Sequence, residues 1–319
     1  MRFLVTGAAG FIGSHLCRGL VADGHDVVGL DDLSAGTLDN LADVAEVRFV
    51  EADIRDEAAV RDAAEGVDVI LHEAAMRSVP LSVAEPGRTT DVNVRGTLHV
   101  LLAARASGAR VVFASSSSVY GDRTTFPLTE TLAPLPRSPY AASKLTGEAY
   151  CRAWWHSYGV PTVSLRYFNV YGPRQDPESR YAAVIPLFIL ACLRGETAEI
   201  HGDGEQARDF TFIDDVVEAN IAASRAGESA FGEVVNIGGG RTPTSINRLF
   251  ELIARGVGSS SRPAHVEPRE GDIRRSHADV SLAEALLGYR PAVAIDEGLH
   301  ATVAWFTASH GGPAVPLPT

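Results

Sequence analysis

Tyr140 and Lys144 stand four residues apart in Tyr140-Ala141-Ala142-Ser143-Lys144, a spacing that puts both side chains on one face of a helix. A phenol of pKa about 10 is a poor base at neutral pH, and a neighbouring ammonium favours its ionised form. The pair therefore reads as a general base of matched pKa. Taken alone, the spacing describes an incidental Tyr–Lys pair equally well. Two other segments set it apart. Ser115-Ser116-Ser117-Ser118 directly follows the apolar run Val111 to Ala114, and Thr6-Gly7-Ala8-Ala9-Gly10-Phe11-Ile12-Gly13 follows the run Phe3 to Val5. Serines at the carboxyl end of a parallel strand lie in the crevice where open α/β sheets bind ligands. Glycines 7, 10 and 13 permit a tight turn and close backbone approach. A helix opened by Phe11, Ile12 and Gly13 then presents its N–H groups to a pyrophosphate.

Asp31 ends the second strand-like run, in Leu30-Asp31-Asp32-Leu33. A carboxylate there accepts from an adenosine ribose and repels a 2′-phosphate, which favours NAD over NADP. Asp32 lies beside it, and Asp53-Ile54, after the third run, would reach the adenine rim.

These motifs need a scaffold. Apolar runs Phe3 to Val5, Val27 to Leu30, Val47 to Val50, Val67 to Leu71, Val111 to Ala114 and Thr162 to Arg166 alternate with helical patterns over 13–23, 58–65, 89–107 and 140–158. Such alternation predicts an α/β fold: a doubly wound parallel sheet covered by helices on both faces. Beyond Asn169 the rhythm breaks at Pro173, Pro177 and Pro186, and strands become short. A cofactor domain over 1–168, with 211–237 returning to it, and a smaller α/β substrate lobe over 169–210 and 238–319 are expected. Gly256 to Pro263 reads as a loop and the last dozen residues as a frayed tail.

Taken together, the residues resemble the extended short-chain dehydrogenases/reductases, specifically the NAD-dependent sugar-nucleotide epimerase/dehydratase family. The resemblance covers nearly the whole chain. It includes His72-Glu73-Ala74-Ala75, Asn93-Val94-Arg95-Gly96-Thr97, Arg166 to Pro173, Gly202 to Phe210 and Arg269-Glu270-Gly271-Asp272. It implies Tyr140 as catalytic base, Lys144 on the nicotinamide ribose and Ser116 as hydroxyl partner of the sugar 4-oxygen, with Ser115 and Ser117 left open. It adds Ala74, Ala75, Asn93 and Tyr167 to the NAD contacts. Asn169, Arg208, Arg269 and Asp272 match positions that hold a nucleotide diphosphate, and a guanidinium fork suits phosphate oxygens.

The implied activity is 4-epimerisation of a UDP-hexose through a 4-keto intermediate. Dehydratase and decarboxylase relatives place acids just after the catalytic serine, where this chain has Ser117 and Ser118. A non-catalytic NAD sensor would lack the Tyr or the Lys. Arg77, beside Ser78 in the substrate-facing segment, would crowd a 2-acetamido group, whereas Arg180 could clamp a C6 carboxylate and point to a uronate. Relatives commonly pair through the helices at 89–107 and 140–158, so a homodimer is implied.

Composition narrows the partners. The 319 residues carry 28 Lys+Arg against 40 Asp+Glu, a net charge of −12, with 45% apolar residues. This suits one or two globular domains and disfavours nucleic acid or anionic lipid as a partner. Cys17, Cys151 and Cys192 are scattered and read as reduced apolar residues, so no metal site is expected. With no apolar span long enough for a membrane, a cytoplasmic location is expected. His72 reads as a core histidine, Trp154 and Trp155 as packing, and Gly238-Gly239-Gly240 as a turn rather than a second phosphate loop.

Overall fold

The computed structural model describes residues 1–177, 183–268 and 273–311. Strands β1 (Arg2–Thr6), β2 (Asp26–Asp31), β3 (Arg48–Glu51), β4 (Val69–His72), β5 (Arg110–Ser116) and β6 (Thr162–Tyr167) form where the apolar runs stand. They alternate with helices α1 (Phe11–Ala22), α2 (Glu57–Ala63), α3 (Val79–Ala84), α4 (Pro86–Thr90), α5 (Thr97–Ser107) and α6 (Pro139–Tyr158). The second half holds β7 (Val170–Tyr171), α7 (Val184–Arg194), β8 (Glu199–His201), β9 (Ala207–Arg208), β10 (Thr211–Phe212), α8 (Ile213–Ser224), β11 (Val234–Ile237), β12 (Thr244–Ser245), α9 (Ile246–Val257), β13 (Ala264–Val266), α10 (Ser281–Leu287) and α11 (Ile295–His310).

The main sheet is parallel throughout, in the order β11-β6-β5-β4-β1-β2-β3. Side chains alternate across it. Phe3, Val5, Leu71, Val112 and Leu165 pack with Leu16 and Leu20 of α1 and Val216 of α8, while Leu4, Val28, Ile70, Val111 and Phe113 pack with Val60 and Leu101 on the opposite face. Both faces are buried, which is why the strands read as unbroken apolar runs. Because α1 leaves β1 and α6 leads into β6, the glycine turn, the serine run and Tyr140 all emerge at the carboxyl edge of this sheet.

Two segments differ from expectation. The helix expected over 89–107 carries a π-wound turn at Asp91–Gly96. Gly96 there lies against Ile54, where an added Cβ would fall 2.5 Å from Cδ1, and the wider turn sets Asn93 inward. At the C-terminus, α11 continues to His310, so the first residues of the expected tail are helical. All three cysteines are buried and free. Among the described residues, no helix is long and apolar enough to cross a membrane.

Candidate active site

The glycine turn is a cradle shaped by the lack of side chains. Gly7 (φ +71°) donates to the Leu30 carbonyl at 2.8 Å, crossing from β1 to β2. A Cβ on Gly13 would fall 2.0 Å from the Gly7 oxygen, and one on Gly7 would fall 2.8 Å from the Ala74 nitrogen. Helix α1 starts after Gly10 with no side-chain cap, so no side chain competes for its first N–H groups. Asp31 is buried at the end of β2, and each of its oxygens accepts one backbone N–H, from Ala9 (3.0 Å) and Leu33 (2.8 Å). Burial pushes its pKa up. A carboxylate has about four lone-pair sites, so acceptor capacity remains for ribose hydroxyls. The cradle, the uncapped helix and the buried acid together fit a dinucleotide.

The remaining cofactor-side residues arrange themselves around this turn. Asp32 accepts from Ser34, at 3.0 Å from its nitrogen and 2.6 Å from its hydroxyl. Asp53 is engaged by the backbone and guanidinium of Arg55, which hold its pKa low. Ile54 is buried, and its carbonyl accepts from His99 Nδ1 at 3.0 Å. His72 is a core histidine: burial drops its pKa to about 3. Thr97 Oγ1 donates to the Asn93 carbonyl (2.6 Å), so it accepts from His72 Nε2 (3.0 Å). His72 Nδ1 then accepts from Thr6 Oγ1 (2.7 Å), which accepts in turn from the Ala74 nitrogen (3.3 Å). Asn93 clamps Met76, accepting from its nitrogen (2.7 Å), and reaches Ser143 Oγ (2.9 Å) on α6. Ala75 thus lies between two fixed points of the loop after β4.

Helix α6 carries both Tyr140 and Lys144. Ser138 caps it by accepting from the Ala141 nitrogen (3.1 Å), and the Tyr140 nitrogen donates to Ser82 Oγ (3.1 Å) on α3. Ser78 caps α3 through Leu81, and Arg77 before it is exposed. The Ser116 hydroxyl accepts from the Ser118 nitrogen at 3.2 Å and faces the Tyr140 phenol, whose pKa it helps to lower. Burial pushes the phenol pKa up, whereas Ser116 and the Arg77 charge pull it down and Glu73 pushes it up. Lys144 is buried one turn on, donating from Nζ to the Ala114 carbonyl at 2.7 Å, 5.1 Å from the Phe113 ring centroid.

Alternation along β5 sets Ser115 and Ser116 on opposite faces. Ser115 turns to the far side and donates to Glu148 Oε1 at 2.5 Å, leaving Ser116 facing Tyr140. Glu148 is also held bidentately by Arg166 Nε (2.8 Å) and Nη2 (2.7 Å), both side chains being buried. The Arg166 guanidinium stacks 4.7 Å from the Tyr120 ring centroid, and Tyr120 donates to Asn236 at 2.7 Å. This network, which ties α6 to β5, β6 and β11, was missed in the motif reading. Its one local signal is that Glu148 repeats the four-residue spacing from Lys144 on a buried helix face. Tyr167, at the end of β6, places its hydroxyl on Glu73 at 2.8 Å.

The second half supplies a cavity of about 330 Å³ whose walls include Asn169, Gln175, Phe188, Gln206, Arg208 and Phe210. Asn169 adopts φ +28° and donates to the Asp209 carbonyl (2.9 Å) and Ser276 Oγ (3.0 Å). Buried Asp209 accepts from the nitrogens of Gly239 and Ala278, both at 2.8 Å, so the triple-glycine segment is a turn closed on a carboxylate. Arg180, Arg269 and Asp272 lie outside the described residues. Gln206 and Phe210 fall in the Gly202 to Phe210 motif without being named there as site residues, and nothing local marks Gln175. Among the described residues, no group of three His, Cys, Asp or Glu could hold a metal ion.

Residues 3–238 match the model of the NAD dependent epimerase/dehydratase family. A UDP-glucose 4-epimerase of Mycolicibacterium smegmatis is 45% identical over 312 residues, spanning 96% of this chain and 98% of that protein. A UDP-glucuronate 4-epimerase of Thermodesulfobacterium geofontis is 34% identical, spanning 95% of each. Among solved structures, a UDP-N-acetylglucosamine 4-epimerase from Methanobrevibacter ruminantium M1, in complex with UDP-N-acetylmuramic acid, superimposes with a TM-score of 0.92 at 40% identity, covering 97% of this chain and 98% of that one.

Proposed function

The chain belongs to the NAD-dependent epimerase/dehydratase family, and we propose that it is a UDP-hexose 4-epimerase working through a 4-keto sugar. The observation that carries this reading is the meeting of Ser116, Tyr140 and Lys144 at the sheet edge, with serines rather than acids at 117 and 118. The Gly7–Gly13 cradle and Asp31 would hold NAD, which would supply reversible hydride acceptance at the sugar C4. Tyr140 takes the proton of the sugar 4-hydroxyl and later gives it back. Ser116, which faces the phenol, orients that hydroxyl. Arg77 and Ser116 favour the phenolate, and Lys144 adds positive charge to the floor of the site. The pocket holding Asn169 and Arg208 grips the nucleotide, so that the ketone can present its other face without leaving.

The sugars proposed are the glucose/galactose pair and the corresponding N-acetylhexosamines, with UDP-glucuronate as the alternative. Relatives of all three kinds align over nearly the full chain. In this reading the cofactor domain spans 1–168 with 211–237, and the substrate lobe 169–210 with 238–319. A homodimer through α5 and α6 is part of the proposal. An aromatic face of Tyr150, Trp154 and half-exposed Tyr158 runs along α6, with Arg105 of α5 over the Tyr158 ring at 4.2 Å.

Rates of 4-epimerisation on UDP-glucose, UDP-N-acetylglucosamine and UDP-glucuronate, measured side by side on NAD-loaded protein, test the reading. At least one should turn over, and Tyr140→Phe should lower kcat by about 10²–10⁴-fold while retaining NAD. Turnover of none, or near-normal turnover by the Phe variant, defeats it.

A further inference from the structure

The side of α6 that carries Tyr140 and Lys144 continues one turn further to Glu148, so residues 140, 144 and 148 repeat a four-residue step along one face. Each of the three meets one of three consecutive residues at the end of β5. Tyr140 faces Ser116, Lys144 Nζ donates to the Ala114 carbonyl at 2.7 Å, and Glu148 Oε1 accepts from Ser115 Oγ at 2.5 Å. How closely α6 lies on the strand is set by Gly147, where a Cβ would fall 2.2 Å from the Phe113 ring. Apolar contact of that kind is non-directional and leaves a helix free to slide along the strand. Directional bonds remove that freedom, and charge-assisted ones such as those of Glu148 are the stronger kind.

Arg166 completes the contact. It is the neighbour of Ser115 across the β5–β6 pairing, so both side chains leave the sheet on one face. Its Nε (2.8 Å) and Nη2 (2.7 Å) hold both oxygens of Glu148, and each side chain of the pair is only 4% exposed. The same guanidinium lies 4.7 Å from the ring centroid of Tyr120, which ends the short helical turn Ser117–Tyr120 directly after Ser116. Tyr120 is pinned in turn by its bond to Asn236 at 2.7 Å. Ser116 is therefore gripped from both sides, through Ser115 before it and Tyr120 after it, and both grips lead to the Glu148–Arg166 pair. A buried ion pair gives little net stability over apolar side chains of like volume, because desolvation offsets most of the attraction. What it adds is a fixed bidentate geometry.

We propose that Glu148 and Arg166 are positioning residues of the catalytic centre: their bidentate pair, together with Ser115, sets α6 against the end of β5 so that Ser116 and the Tyr140 phenol meet. The proposal deepens the epimerase reading and rests on it for its catalytic meaning. Both residues lie outside the tyrosine–lysine motif and act through Ser116 and Tyr140 rather than on the sugar.

The double variant Glu148→Met/Arg166→Met removes the geometry and keeps the volume, so the fold and its melting temperature should persist. Assayed as NAD-loaded protein on UDP-glucose, UDP-N-acetylglucosamine and UDP-glucuronate, it should lose about 10²-fold in kcat with KM and NAD content unchanged. Ser115→Ala, which keeps the pair and loses one bond, should lose roughly tenfold in the same way. Parental kcat in the folded double variant overturns the proposal. If the double variant does not fold, Ser115→Ala decides, and parental kcat there overturns it. A loss that Ser115→Ala shares equally among kcat, KM, NAD content and melting temperature marks the network as structural only and also overturns it. Should the parent protein turn over no UDP-sugar, the epimerase reading falls alone. The pair is then judged by ionisation of the Tyr140 phenol, read as the absorbance difference that Tyr140→Phe makes in each background. Ser116 lowers that pKa, so the midpoint should rise in both variants, and an unmoved midpoint overturns the assignment.

Discussion

At the cofactor end, Gly13 packs so closely on Gly7 that a Cβ would fall 2.0 Å from a carbonyl oxygen. At the nucleotide end, a cavity of about 330 Å³ is walled by side chains from four separate stretches between Asn169 and Ile246. In the proposed function the first region holds its ligand with backbone and depends on the absence of atoms. The second would hold its ligand with side-chain forks and amides that each need their own support, as Asn169 needs Asp209 and Ser276. A backbone site is compact in sequence and fails abruptly, because no neighbouring group can replace a missing approach. A side-chain site is dispersed and should fail by degrees.

Three substitutions or conditions press on that contrast. The largest effect is expected at Gly13→Ala, where the added methyl meets backbone that cannot yield. The purified variant should carry little NAD, read from its absorbance ratio, and melt several degrees lower. Full cofactor content would mean that the cradle is softer than its geometry. Next comes Arg208→Ala in the cavity wall. Loss of a charge-assisted contact costs about 1.5–3 kcal/mol, so KM for the UDP-sugar should rise roughly 10–100-fold with NAD content unchanged. An unchanged KM would remove Arg208 from the nucleotide site.

The third effect concerns acid stability, is spread over two pH units and belongs to the main sheet and α1. Burial lowers the pKa of His15 to about 4 and of His72 to about 3. Their folded values lie below the unfolded value of about 6.5, so the unfolded chain takes up protons first as the pH falls. Stability from these two groups is fully present above about pH 6.5 and is lost progressively toward their folded values. Urea unfolding between pH 6.5 and 4.5 should show a slope approaching about 1.4 kcal/mol per pH unit for each histidine. Replacing His72 by Gln should flatten it. A flat profile in the parent protein would show that neither histidine stays neutral in the fold.

The same contrast explains what was legible in the chain. The six leading strands and the helices between them announced themselves because both faces of the sheet are buried, which writes each strand as an apolar run. The Gly7–Gly13 turn and the Tyr140–Lys144 spacing were legible because one element carries each of them. Arg166–Glu148, Glu73–Tyr167–Asn220 and Gln206 were not, since each partner sits on a different element and no spacing records the contact. The π-wound turn at Asp91–Gly96 was hidden as well: its Gly96 lies against Ile54, a residue from a different segment.

By itself, the amino-acid order determined the parallel sheet, the glycine turn between β1 and α1 and the placing of Tyr140 and Lys144 on one helix face, all of which follow from local periodicity and short-range spacing. Only the tertiary structure decided which serine meets Tyr140, that Ser115 instead belongs to Glu148, and that the one lysine is buried with its ammonium on the Ala114 carbonyl. The physical reason is electrostatic. The charge state of a buried group is set by its desolvation and by partners brought in from remote segments, and neither exists until the chain has folded.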